Sequence, residues 1–267
     1  MSPTLRARLG VILPPVVLGV VLLVAWEIWV QVGRIATYLL PKPSAIGEQL
    51  DRQREIIGDA ARISGTNALL GLLLGAALGI VMALLSSRFS VVRSMIAPVA
   101  AAANALPLIA VTPVLNNAIG STSETPRRLV VALVVFFPVF LNLLKGLTQV
   151  QATHIELMRS YGASASAVAR KVRLPGAVPY LATGLKVAAP LAVITAVVAE
   201  YFGGPQGGLG YFISTNASQT RTAQAWSYVV AACALGLLFF VAAVAVERVA
   251  APGRPSISPT HHPRRQT

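Results

Sequence analysis

The sequence predicts an all-α, polytopic membrane protein of about six transmembrane helices, and three observations carry that prediction. Of the 267 residues, 55% are hydrophobic and only 12% charged, unlike a soluble chain of this length. Several windows supply the roughly 20 mostly apolar residues that a helix needs to cross the hydrocarbon core. Those windows have almost no polar face, so they do not read as the amphipathic helices of a large soluble core.

The spans fall at roughly 9–32, 63–87, 91–115, 128–147, 177–201 and 225–249, making 9–251 one membrane domain between tails at 1–8 and 252–267. Arg6 and Arg8 precede the first window as in a signal peptide. That window is too long and lacks a clear small-residue cleavage site, so it reads as a retained helix. Between spans one and two, Pro41 and Pro43 fix an extended approach and Ser44 is placed to cap a helix. There Ile46, Leu50, Ile56, Ile57 and Ala60 recur at about helical spacing among charges, which predicts an amphipathic helix on the outer membrane surface. Gly71, Gly75 and Gly79 give the second span a small-xxx-small ridge for close helix packing. The single cysteine, Cys233, lies in the last window, forms no internal disulfide and reads as a small packing residue. The tail after Pro252, rich in Pro, Arg, Ser and His, reads as disordered. Its adjacent His261 and His262 read as idle, so no metal site is expected.

A net charge of +13 would suggest nucleic acid if the chain were soluble. On a membrane protein such charge gathers in cytoplasmic loops and orients the helices, so no nucleic-acid partner is expected. Six spans place both termini on one side, together with thirteen of the 22 lysines and arginines. The other side holds eight, partly offset by Glu48, Asp51, Glu55, Asp59 and Glu124, and Lys186 is left inside a span. The termini, and the loop between spans four and five, are therefore expected in the cytoplasm of a cell bounded by this membrane.

An ionisable group at the bilayer centre costs about 2.5–3.5 kcal/mol on insertion scales, so each one asks for a reason. Glu200, before the turn-rich "YFGGPQGGLG" that suggests an external gate, has two readings: a polar contact lining a route, or an anchor that reaches water. Lys186 is expected to snorkel towards the cytoplasm. Glu27, between Trp26 and Trp29, marks the outer interface of span one. Asn104, Asn116, Asn117, Asn142 and Thr195 are candidates for lining a route, or else for hydrogen bonds between helices. Phe136, Phe137 and Phe140 suit an apolar constriction or lipid contact.

The stretch "IELMRSYGASASAVARKVRLPG" (155–176) interrupts this apolar pattern with Glu156, Arg159, Arg170, Lys171 and Arg173. Gly162 divides it into two helical pieces, and Ser164 is placed to cap the second. Ala165, Val168, Ala169 and Val172 form an apolar stripe with the cations elsewhere, and Pro175 is expected to end the piece. On physics alone, a solvated loop held down by anionic lipid is an equal reading.

The spacing Glu156, Gly162, Val172, Leu174-Pro175 is E-x5-G-x9-V-x-L-P, with Ala163 and Ser164 after the glycine. This resembles the EAA signature of the membrane subunits of bacterial ATP-binding-cassette importers, with Leu157-Met158 in place of two alanines. "PLIAVTPVL", "VVFFPVFLNLLKGL", "LPGAVPYLATGLKVAAPLA" and "VVAEYFGGPQGGLGYFI" are similar to the nitrate, sulfonate and taurine branch, the last phrase to members moving riboflavin or thiamine-pyrimidine precursors. The resemblance implies a type I importer permease fold whose segment at about 154–175 is a cytoplasmic coupling helix. Glu156, Arg159, Gly162, Ala163, Ser164, Leu174 and Pro175 would carry the coupling, and Glu156 would pair with Arg159 or with a partner's basic group. Asn104, Phe136, Asn142, Thr195 and Glu200 would be candidates for the route. The chain has no G-x-x-x-x-G-K-[ST] loop, so it is expected to be non-catalytic and to carry no cofactor. ATP and Mg would sit on partner ATPase subunits. The other implied partners are a second permease chain, identical or related, an external substrate-binding protein and the inner-membrane bilayer. A gradient-driven transporter or channel is the alternative, and it would want paired acids within spans or inverted repeats, whereas Glu27 and Glu200 are the acids assigned to spans. A membrane anchor for a partner enzyme would leave the EAA-like spacing without a purpose.

Overall fold

The computed structural model describes residues 3–89, 91, 94–96, 108–120, 122–150 and 152–250, and among these there is helix but no strand. Helix α1 (Pro3–Val32) is followed by α2 (Pro43–Arg52) and α3 (Arg54–Arg88). A 3₁₀ turn at Leu108–Val111 leads into α4 (Thr112–Ile119) and then α5 (Thr125–Thr148). Next come α6 (Ala152–Ser160), α7 (Ala165–Val168), α8 (Leu174–Tyr201), α9 (Leu209–Ser218) and α10 (Thr222–Ala250). Five stretches are long and apolar enough to cross a membrane: Leu13–Val32, Arg54–Arg88, Thr125–Thr148, Ala165–Tyr201 and Thr222–Arg248. Their length and composition, with no strand beside them, make the fold an all-α polytopic one.

The core sits where α3, α5 and α8 meet. Val131, Val135 and Val139 of α5 pack between Ala68 and Ala76 of α3 and Ala188, Ala192 and Ala196 of α8. Small residues on two of the three helices let the backbones close in, which matters because lipid offers helices little hydrophobic reason to associate. The glycine ridge of α3 is the clearest case. A Cβ on Gly75 would strike the Ala132 backbone, and one on Gly79 would lie 3.0 Å from the Phe136 carbonyl oxygen.

The order of these contacts fixes direction. Gly71 faces Val131 and Gly79 faces Phe136 and Val139, so α3 and α5 run parallel. Much of the span expected at 91–115, residues 92–93 and 97–107 with Asn104, lies outside the described residues. Gly146 faces Tyr180 while Gly184 faces Pro138, so α8 is antiparallel to α5. Lys186 of α8 meets Glu247 of α10, and Val197 and Leu209 share a cluster with Leu235, so α10 is antiparallel to α8. The Glu247 end of α10 thus lies on the same side as the start of α8 and its connection to α5.

Several expectations change. The first helix begins at Pro3, so the described part of the 1–8 tail belongs to it, while the 252–267 tail with His261 and His262 lies outside the described residues. The amphipathic surface helix ends at Arg52, and after Gln53 its second half continues straight into the span as α3, starting at Arg54 rather than 63. Ser44 does not cap α2 with its side chain. The cap comes from α1: Glu27 accepts the Ser44 backbone N–H at 3.0 Å and the Ser44 hydroxyl at 2.7 Å. A carboxylate there satisfies an orphan donor and faces the positive end of the helix dipole. Cys233 is exposed on α10, not packed within the chain, because the inward face of that helix is taken by Ala232 and Leu235. Helix α1 is pinned at its end by Val30, buried, and by Trp26 edge-on to Trp226 of α10 at 5.6 Å, and otherwise presents Leu18, Leu22 and their neighbours outward.

Candidate functional site

The connection between α5 and α8 is built from a bend and a continuous rod. Helix α6 ends in a Schellman motif: the Ala163 N–H donates to the Met158 carbonyl (3.0 Å) and the Gly162 N–H to that of Arg159 (2.9 Å). Gly162 takes φ +73, the left-handed value this motif demands, and nothing lies within 4 Å of where a Cβ would be. Glycine is therefore required here by conformation and not by space. Ser164 caps α7 as expected, its Oγ accepting the Ala167 N–H at 3.3 Å.

Pro175 behaves differently from expectation. It does not end the second piece but stands in the first turn of α8, where a missing N–H costs least. Between them Ala169–Arg173 form a π turn, in which the Leu174 N–H reaches back to the Ala169 carbonyl. The wider turn shifts the hydrogen-bond register ahead of the proline, so Ala165–Tyr201 is one uninterrupted helical stretch. The second helical piece, expected to stop at Pro175, is thus the foot of α8. Of its apolar stripe, Val168 is buried, Ala169 and Val172 are half-buried and Ala165 is exposed.

Glu156 and Arg159 are both exposed and make no ion pair with each other. Beside them Leu157 is 55% exposed and Tyr161 81% exposed, an apolar pair turned away from the chain's own core.

At the opposite end of the bundle, Glu200 is not an anchor that reaches water. It is 1% exposed, so it reaches no water, and its Oε2 accepts from Ser64 Oγ (2.7 Å) and the Gly210 N–H (3.0 Å). Ser64 Oγ in turn accepts the Leu209 N–H at 2.9 Å, tying α3, α8 and the start of α9 together. Arg127, wholly buried, holds the neighbouring turn: it bonds Glu124 at 2.8 Å, the Gly203 carbonyl at 3.2 Å and the Pro205 carbonyl. Glu124 also accepts from Asn67 at 2.8 Å, and Arg128 donates to Asn67 at 3.0 Å. The segment read as an external gate is held by two buried ionisable side chains, each hydrogen-bonded through part of its head group, while Glu200 Oε1 and Arg127 Nε have no partner among the described residues.

The remaining candidates are spread along α5 and α8, not gathered. Asn142 donates to the Pro138 carbonyl and Thr195 to the Leu191 carbonyl, both at 2.8 Å and both one turn back in their own helix. They therefore make no bond between helices. Phe136 stacks on Phe140 at 5.4 Å and lines a wholly apolar recess of about 370 Å³ with Leu74, Leu78 and Met82. Asn116 is buried and Asn117 exposed. Lys186 does not snorkel alone, since its Nζ lies 2.8 Å from the Glu247 carboxylate. Glu247 lies inside the last expected span and adds a third acid to Glu27 and Glu200 there; its charge within an apolar window is its mark in the sequence. Ser64, Asn67, Glu124 and Arg127 carried no pattern that marks them in sequence.

Comparison with known proteins agrees with this architecture. Residues 75–252 match the family described as binding-protein-dependent transport system inner membrane component. The formylaminopyrimidine transport permease protein ThiX of Halalkalibacterium halodurans is 30% identical over 91% of this chain and 96% of its own length. The taurine transport system permease protein TauC of Escherichia coli is 28% identical over 73% of each chain. The riboflavin transport system permease protein RibX of Chloroflexus aurantiacus is 34% identical over 45% of this chain and 44% of its own. With five stretches long and apolar enough to cross a membrane and a match that runs from the last part of α3 through α5, α8 and α10, the chain belongs to the binding-protein-dependent inner-membrane components, the permease subunits of bacterial ABC importers.

Proposed function

We propose that residues 152–175 are the coupling segment through which a separate ATPase moves this permease, and that the solute is a small organic anion or vitamin precursor. The observation that carries the coupling reading is the continuity of Ala165–Tyr201. A load applied near Ser164 reaches the core along one helix without a flexible joint, and the Gly162 bend sets the angle at which α6 presents Glu156, Leu157, Arg159 and Tyr161. An exposed aromatic beside an exposed leucine and a charged pair is the composition of a docking patch. The ATPase binds and hydrolyses ATP with Mg, and this chain supplies no catalytic group. The segment, with both chain termini on its side, faces the cytoplasm.

Two such chains, identical or related, form the route between them. Phe136 and Asn142 stand on α5 and Thr195 and Glu200 on α8, spread along the helices and not gathered in one place, which favours a route completed by the second copy. An external binding protein delivers the solute. The solute class rests on the resemblance to transporters of formylaminopyrimidine, taurine and riboflavin.

The test is Gly162→Pro in the reconstituted importer, since proline cannot take φ +73. Insertion is retained, while solute-stimulated ATPase activity and uptake are lost together. Normal values of both in that variant would sink the coupling assignment, and uptake that persists without any ATPase subunit would favour a gradient-driven transporter.

A further inference from the structure

Where α3 and α5 end and α8 begins, the chain encloses a recess of about 600 Å³. Four arginines line it, Arg88, Arg159, Arg170 and Arg173, and no acidic side chain does. Among the described residues none of the four is in an ion pair. Three are exposed and Arg173 is half-buried. Four like charges brought together without a counter-charge repel one another, and the repulsion is relieved by a bound anion. The recess is not purely polar: Leu84 and Leu174, 39% and 43% exposed, belong to its walls. Arg88 is the last residue of one membrane-crossing helix and Leu174 opens another, so the arginines stand at the level where a bilayer carries its headgroups.

We propose that this recess binds a phosphate-bearing anion, with the arginines on the phosphate and the leucine wall against a non-polar neighbour. A phospholipid headgroup with its acyl chain along Leu84 and Leu174 matches both halves, because basic pockets at the ends of spans hold anionic headgroups and guanidinium forks suit phosphate. The proposal stands independently of the coupling role, since anion binding requires no ATPase.

The experiment uses the full chain in neutral detergent and native mass spectrometry, with dioleoylphosphatidylglycerol, dioleoylphosphatidylcholine and inorganic phosphate as probes. Expected is retention of phosphatidylglycerol over phosphatidylcholine. Affinity falls about twenty-five-fold in Arg88→Gln/Arg173→Gln, at about fivefold per arginine removed. Arg52→Gln/Arg54→Gln, on either side of the α2–α3 junction and remote from the recess, leaves it unchanged. Binding of inorganic phosphate alone with the same arginine dependence assigns a free phosphate as the source, and phosphatidylglycerol binding that phosphate does not displace assigns a lipid. Arg88→Lys/Arg173→Lys keeps the charge and retains binding within a few-fold, and the single Arg170→Gln lowers it about fivefold, so a folding failure of the glutamine pair leaves the question decidable. No preference for either phosphate probe, or equal binding by the wild type and the glutamine variants, overturns the proposal.

Discussion

Ser64 Oγ donates to Glu200 Oε2 at 2.7 Å while accepting the Leu209 N–H at 2.9 Å, so one hydroxyl joins three helices at the end of the bundle opposite the Gly162 bend. Both its partners are buried and have little else to turn to. Ser64→Ala is expected to cost about 1–3 kcal/mol, the usual penalty for leaving a buried polar group unmatched. Thermal unfolding in detergent measures it, and an unchanged midpoint would mean that the clamp bears no load.

The Gly71, Gly75, Gly79 ridge makes a sharper demand, because the Ala132 backbone already occupies the space a Cβ on Gly75 would need. Gly75→Val should therefore push α3 and α5 apart, at about 1–3 kcal/mol for overpacking. Gly58→Val, on the same helix with nothing within 4 Å of its Cβ, is the control for general helix effects. Equal loss of stability in the two variants would remove the packing explanation.

Gly162→Ala separates conformation from space, since the site is open but the φ is left-handed. A cost of about 1–2 kcal/mol is expected, confined to the bend. Hydrogen exchange should quicken at Gly162 and Ala163, whose amides close the motif, and stay unchanged in the core of α8. Uniform exchange across both regions would contradict it.

Lys186 and Glu247 make a coupled pair, each side chain a little over a quarter exposed. Removing one charge leaves the other at membrane depth without its partner, so Lys186→Met and Glu247→Gln should each destabilise more than half as much as the double variant. A coupling of about 0.5–3 kcal/mol is the range for residues in direct contact. Strict additivity in a thermal double-mutant cycle would show that the pair does not interact.

Much of this was legible in the sequence. Five of the six expected spans have a counterpart among the long apolar helices, because lipid leaves the backbone few other choices, and the glycine ridge follows from spacing alone. The Gly162 bend and the Ser164 cap were readable because their chemistry is local, complete within a few residues. The role of Pro175 was not: a proline signals both the end of one helix and the first turn of the next, and the π turn that decides between them has no sequence mark. The Glu200 and Arg127 anchors were hidden for another reason, since their partners Ser64 and Gly203 are 136 and 76 positions away. For Asn142 and Thr195 the reading of hydrogen bonds between helices does not hold, because each side chain bonds a carbonyl of its own helix.

The π turn at Ala169–Arg173 makes the bend at Gly162 and the clamp at Glu200 two ends of a single beam. Its 37 residues extend about 55 Å at 1.5 Å per residue, well beyond the hydrocarbon thickness. Pivoted at one end, such a beam moves its far tip by about 5 Å for a tilt of about 5°. That shift is larger than a hydrogen bond can stretch, so the Ser64–Glu200 contact must either travel with the beam or let go.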